Sequence, residues 1–191
     1  LDGSAVMTDC VISNNTAGNG AGGSVAASGS VLISNTLFTC NVGVNGAGLD
    51  NAYGTIVNCR FLYNIASGSG GGVQMDRGII RNCLMAGNKA GIGGGLAVGS
   101  SGAKSTIENC TLVRNSASVG GGLSNLGGGH VRNCIVFLNS APVFPDFRQT
   151  NYISSADIYV LNNCATNDLN GITTAIGSPA NIIVSGNIQA N

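Results

Sequence analysis

The chain has 191 residues, a formal net charge of zero from eight basic and eight acidic side chains, no tryptophan and 31 glycines. Neutrality with so few charges argues against a nucleic-acid binder, which needs a basic footprint for the phosphate backbone. Glycine at one position in six argues against a helical fold, since each interior helical glycine costs about 1 kcal/mol relative to alanine, and 43% apolar residues argue against disorder.

From the first residues onward one unit recurs: an apolar residue, a spacer, Asn-Cys, a spacer, an apolar residue, two spacers, Asn, a spacer, Ala, then a glycine cluster. Residues 7–17 make the first copy, with Asp9 for the first asparagine, and residues 33–43 the second, with Thr36 for the cysteine. Residues 56–66, 80–90 and 107–117 carry the unit in full, residues 131–141 repeat it, and a degenerate copy starts at Leu161-Asn-Asn-Cys164. Between Asn15, Asn41, Asn64, Asn88, Asn115 and Asn139 the intervals are 26, 23, 24, 27 and 24 residues. That interval suits one coil of a solenoid whose loops absorb the variation. The expectation is an all-β parallel solenoid of about seven coils of 23–27 residues, with three short strands per coil.

Within a coil, the apolar residues two before the first asparagine and three after it are five apart. Strand side chains alternate with period two, so both face inward only if the chain bends at Asn-Cys. Asparagine suits such a corner because it tolerates left-handed backbone angles. Clusters such as Gly70-Gly-Gly-Val73 and Gly93-Gly-Gly-Leu96 open the next strand through a tight turn. Stacking converts each position into a column: Cys10, Cys59, Cys83, Cys110, Cys134 and Cys164; Asn35, Asn58, Asn82, Asn109 and Asn133; and the second set from Asn15 to Asn139. Amides in register hydrogen-bond along such a stack, so both asparagine columns are expected as satisfied, buried ladders. The residue before the corner should face solvent, where Arg81, Glu108 and Arg132 alternate in sign on adjacent strands.

The pattern Asn-Cys-x-(Phe/Leu/Met)-x-x-Asn-x-Ala followed by Gly-Gly-Gly-(Leu/Val) resembles the right-handed parallel β-helix repeats of bacterial surface and secreted proteins. Similar proteins include polymorphic outer-membrane proteins, autotransporter passenger domains and polysaccharide-degrading β-helix enzymes; the segment from Asn133 is similar to the closing part of β-helix proteins of the choice-of-anchor type. The resemblance implies a right-handed β-helix over residues 1–141. Residues 142–158, with Pro142 and Pro145, are expected as an irregular loop breaking the repeat, and residues 159–191 as degenerate last coils of a longer protein. The chain starts at Leu1 without an initiator methionine, which reads as a processed or partial chain.

For chemistry, seven cysteines without a C-x-x-C pair read as core thiols, not as a metal site. Cys40 stands off that column, where the next copy has Tyr63, and its pairing stays open. Asp50 and Asp76, with Arg77, form the best acidic constellation for a lyase-like site that uses calcium and a basic residue. Phe144, Phe147 and Tyr152 form a candidate aromatic platform for sugar. His130 reads as a surface or turn histidine. Asn14 and Asn109 begin glycosylation sequons, placed out of reach by a corner in the core. No catalytic residue, metal or cofactor emerges. The expectation is a non-enzymatic extracellular or cell-surface bacterial segment, structural or adhesive, with itself or a surface glycan as partner. No nucleic acid is expected as partner, and no apolar run approaches the roughly 18 residues of a transmembrane helix. The alternative is a polysaccharide lyase, glycoside hydrolase or carbohydrate-binding module.

Overall fold

Short aliphatic runs punctuated by asparagine and glycine make strands too short to stand alone, and each gains stability only from the turn above and below. In a computed structural model, which describes residues 4–25, 30–51, 53–99, 105–127, 129–149, 159–162, 164–166, 182–185 and 188–189, they wind into a parallel β-solenoid. One turn contains the strands Gly78–Arg81, Leu84–Ala86, Lys89–Ile92 and Leu96–Val98. Each pairs in parallel with its counterparts in the turns before and after.

The resulting sheets, taken in the order the chain visits them, hold eight, eight, four and six strands. There are about six turns, against the seven expected, with two further strands on each of the first two sheets. Turns that contribute to the third sheet carry four strands, not three. That strand is as short as Val42–Gly43 or Ile65–Ala66, too short for alternation to reveal it in the sequence.

Corners separate the strands, and three recur with left-handed backbone. The first is Asp9 and then Asn35, Asn58, Asn82, Asn109 and Asn133, at φ between 50° and 55°. The second falls on the residue before the second asparagine of the repeat: Asn14, Cys40, Tyr63, Gly87, Arg114 and Leu138. The third uses glycine five times, as in Gly70 at φ 65°, and Phe144 once, at φ 56°. Two residues past Gly70 the constraint changes, because a Cβ on Gly72 would lie 2.5 Å from the Gly95 carbonyl oxygen of the next turn.

The parity argument holds. Ile33, Ile56 and Ile80 before the first corner, and Phe38, Phe61 and Met85 after it, are all fully buried. Phe38 and Phe61 stack with ring centroids 4.9 Å apart. Outside, Arg81, Glu108 and Arg132 are register partners. Arg81 Nε lies 2.8 Å and Arg132 Nη1 3.7 Å from the Glu108 carboxylate.

The expected break at Pro142 is corrected for residues 142–149, which continue the solenoid. Val143 bridges Val119, and Phe147–Gln149 pairs with Leu123–Asn125. Pro145 lies two residues before Phe147–Gln149, the end strand of the fourth sheet among the described residues, and its carbonyl accepts from the Gly122 N–H of the preceding turn, a ladder bond that proline can still make.

Candidate functional site

The two asparagine columns separate into different environments. Behind the second corner, Asn41, Asn64, Asn88, Asn115 and Asn139 are buried. The first four each donate their backbone N–H and side-chain Nδ2 to the Oδ1 of the next turn's asparagine, at 2.9–3.0 Å, as Asn64 does to Asn88 and Asn88 to Asn115. The second Nδ2 hydrogen goes to a backbone carbonyl, Phe61 O in the case of Asn88. Every donor is used and every Oδ1 accepts two bonds, as burial requires.

This column ends on a carboxylate. Asn139 donates N–H and Nδ2 to Asp146 Oδ1 at 3.0 and 2.9 Å, and Thr166 Oγ1 donates to Asp146 Oδ2 at 3.2 Å. All the amide N–H ends point along the column toward Asp146, whose Oδ1 takes the place that the next asparagine's Oδ1 holds in the turns before. Asp146 is 0% exposed. Its only mark in the sequence is an acid seven residues after Asn139, directly behind Pro145, where the preceding turn has glycine.

At the first corner the ladder is exposed, which corrects the expectation of two buried columns. Asn58, Asn82, Asn109 and Asn133 donate Nδ2 to the Oδ1 of the preceding turn at 3.2–3.3 Å, the opposite sense to the inner column. The left-handed corner turns this side chain outward and the following cysteine inward. Asn14 and Asn109 are therefore exposed and not shut away in the core. An open groove of about 340 Å³ runs along the start of this ridge, lined by Asp9, Val11, Asn35, Leu37, Asn58 and Arg60 among others.

All seven cysteines are free. Cys59, Cys83, Cys110, Cys134 and Cys164 are buried, Cys10 is half-buried and Cys40 is exposed. Hydrogen bonding to the Cys110 thiol, then burial, pushes Cys134 up to about 12. At Cys83 and Cys110 a bond with the following thiol pulls down, but the preceding thiol and burial outweigh it and both stand at about 12. Cys164 is raised by Cys134 and by burial. Cys59 is lowered, by its bond with Cys83. Protonated thiols are poor nucleophiles and poor metal ligands.

On the outer face of the fourth sheet, Asp50 is the register partner of Gln74, two residues before Asp76. Burial, then the charge of Asp76, raises the pKa of Asp50. The Gln74 Oε1 beside them is buried without a hydrogen bond. Arg77 does not complete a basic partner; its guanidinium carbon sits 4.2 Å from the Tyr53 ring centroid. Among the described residues no group of three or more His, Cys, Asp or Glu side chains converges for a metal ion.

The expected aromatic platform is corrected. Phe147 is a core residue at 2% exposure, register partner of Leu123, because the strand that continues past Pro145 turns it inward. Phe144 is the half-buried third corner, and Tyr152 lies outside the described residues. Among the described residues the exposed aromatic is Tyr63, 63% accessible, hidden from sequence reading because its corner column tolerates any side chain.

A family model described as a right handed beta helix region matches residues 1–136. No curated protein and no solved structure matches the chain significantly.

Proposed function

Because this chain belongs to the right-handed β-helix family, we propose that it is a non-enzymatic structural or adhesive segment of an extracellular or cell-surface bacterial protein. The observation that carries this reading is where the repeated polar groups go. The inner amides bond to one another and to Asp146, five of the six column thiols are buried, and Glu108 lies between two arginines. The repeat is therefore spent on stiffness along the axis, leaving long ridges as contact surface. Stacking of one copy on another would use the same parallel strand pairing and give a filament, since a head-to-tail contact does not close.

A second reading, a polysaccharide lyase or hydrolase, is favoured by the raised pKa of Asp50 beside Asp76. Incubation with acidic polysaccharides, with and without calcium, separates the two. The expected outcome is no unsaturated or reducing-end product. Product formation abolished by Asp50→Ala or Asp76→Ala would replace the scaffold reading with the enzymatic one.

A further inference from the structure

We propose that Tyr63 is a stacking platform for the ring of an anionic sugar, on the outer ridge formed by the second corner. The inference rests on the adhesive half of the reading above and gives it a site. Tyr63 occupies a left-handed corner at φ 56°, a conformation that costs a non-glycine residue roughly 1–2 kcal/mol. Its large apolar ring is nevertheless 63% exposed.

The ring is held by one edge. In the next turn the corner residue is Gly87, and a Cβ there would lie 2.6 Å from both Cδ1 and Cε1 of Tyr63. Glycine thus makes the space into which the ring leans, and the rest of the ring stays open. Val42 and Ile65, register partners on the third sheet, extend the apolar surface at 42% and 47% exposure. The other described exposed-side tyrosine, Tyr53, is covered by Arg77; Tyr63 makes no such pair among the described residues.

The rim is cationic. Lys89 is the register partner of Ile65, and Arg114 follows Gly87 in the corner column. Neither makes an ion pair among the described residues, where the only salt bridges join Arg81 and Arg132 to Glu108. An aromatic body with a hydroxyl tip suits the C–H face and hydroxyls of a pyranose, and two free cations beside it suit a carboxylate or sulfate on that sugar. Three apolar side chains on a ridge fall far short of the roughly 800 Å² per partner of a stable protein interface, which favours a sugar over a protein as occupant.

The test is calorimetric titration with an oligogalacturonate as the anionic probe and a cello-oligosaccharide as the neutral one. Tyr63→Ala should weaken oligogalacturonate binding by about tenfold or more, equivalent to about 1.4 kcal/mol, while Tyr63→Phe stays within about threefold. Gly87→Ala keeps the tyrosine but displaces its edge, and should weaken binding severalfold in protein shown by circular dichroism to be folded. Lys89→Ala with Arg114→Ala should remove the preference for the anionic probe and its salt dependence. The proposal is overturned by unchanged affinity in Tyr63→Ala, or by a wild-type chain that binds neither probe. It is also overturned by a Tyr63-dependent contact made only with protein. None of these outcomes bears on the scaffold reading, which falls only if the polysaccharide incubation yields product.

Discussion

The asparagine column behind the second corner and the one at the first corner carry the same side chain once per turn. One is shut from water and bonds toward the next turn; the other lies in solvent and bonds toward the preceding turn. In the inner column each amide accepts from a neighbour's backbone and side chain and donates twice, so its removal strands several buried groups. In the outer column water replaces whatever the neighbour offered. The same residue is therefore a keystone in one place and a backbone convenience in the other, and what separates them is that the outer asparagine is itself the left-handed residue whereas the inner one follows such a residue.

The sharpest way to break that contrast is paired substitution in one turn. Asn88→Ala leaves the Asn64 N–H and Nδ2 without their acceptor and Phe61 O without its donor. Buried orphans cost about 1–3 kcal/mol each, so a loss of about 3–5 kcal/mol is expected. Asn82→Ala forfeits only exposed bonds plus the strain of alanine at φ 52°, about 1 kcal/mol, and Asn82→Gly should be near neutral. Denaturant unfolding measures all three. If Asn82→Gly proved as damaging as Asn88→Ala, the division into inner and outer columns would be wrong.

The second contrast lies at the end of the inner column. Asp146→Ala strands the Asn139 N–H and Nδ2 and the Thr166 hydroxyl, with an expected loss of about 2–4 kcal/mol. Asp146→Asn keeps Oδ1 as the double acceptor for Asn139 and puts an amide N–H2, which can donate to the Thr166 hydroxyl, where Oδ2 accepted from it, so a loss under about 1 kcal/mol is expected. Equal losses in the two variants would mean that Asp146 does not terminate the ladder as an acceptor.

Much of this was legible from spacing. The columns, the bend at Asn-Cys and the Arg81–Glu108–Arg132 order follow from a constant interval and period-two alternation, which are local. Which asparagine points inward was not legible, since both sit at corners, and corner side chains obey backbone handedness and not alternation. The continuation through Pro145 and Asp146 was hidden for a related reason: Phe144, Pro145 and Asp146 replace three glycines, and only the register of Phe147 with Leu123 shows that the path of the chain is unchanged. Asp50 and Asp76 could be paired by coil arithmetic, whereas Tyr63 was invisible because nothing in the repeat marks an outward corner as a place for a ring.

The thiol column offers the finest contrast, because Cys59, Cys83, Cys110 and Cys134 each follow an outer asparagine by one residue and yet face the opposite way. Cys83, Cys110 and Cys134 stand at about 12 in the fold, while an unfolded thiol ionises near 8.5. Between those values the folded chain holds more protons than the unfolded one, so stability is full below about pH 8 and falls as pH rises through that window. Near pH 8.5 the loss is a few tenths of a kcal/mol per thiol, steepening toward about 1.4 kcal/mol per pH unit above it. Unfolding midpoints from pH 7 to 10 should show this decline. Alkylation followed by mass spectrometry should modify exposed Cys40 in the folded protein and reach Cys83, Cys110 and Cys134 only as the turns open. Column thiols reacting at the rate of Cys40 would mean that the first corner does not close the core, and the exposed ladder and the buried column beside it would then no longer be separate environments.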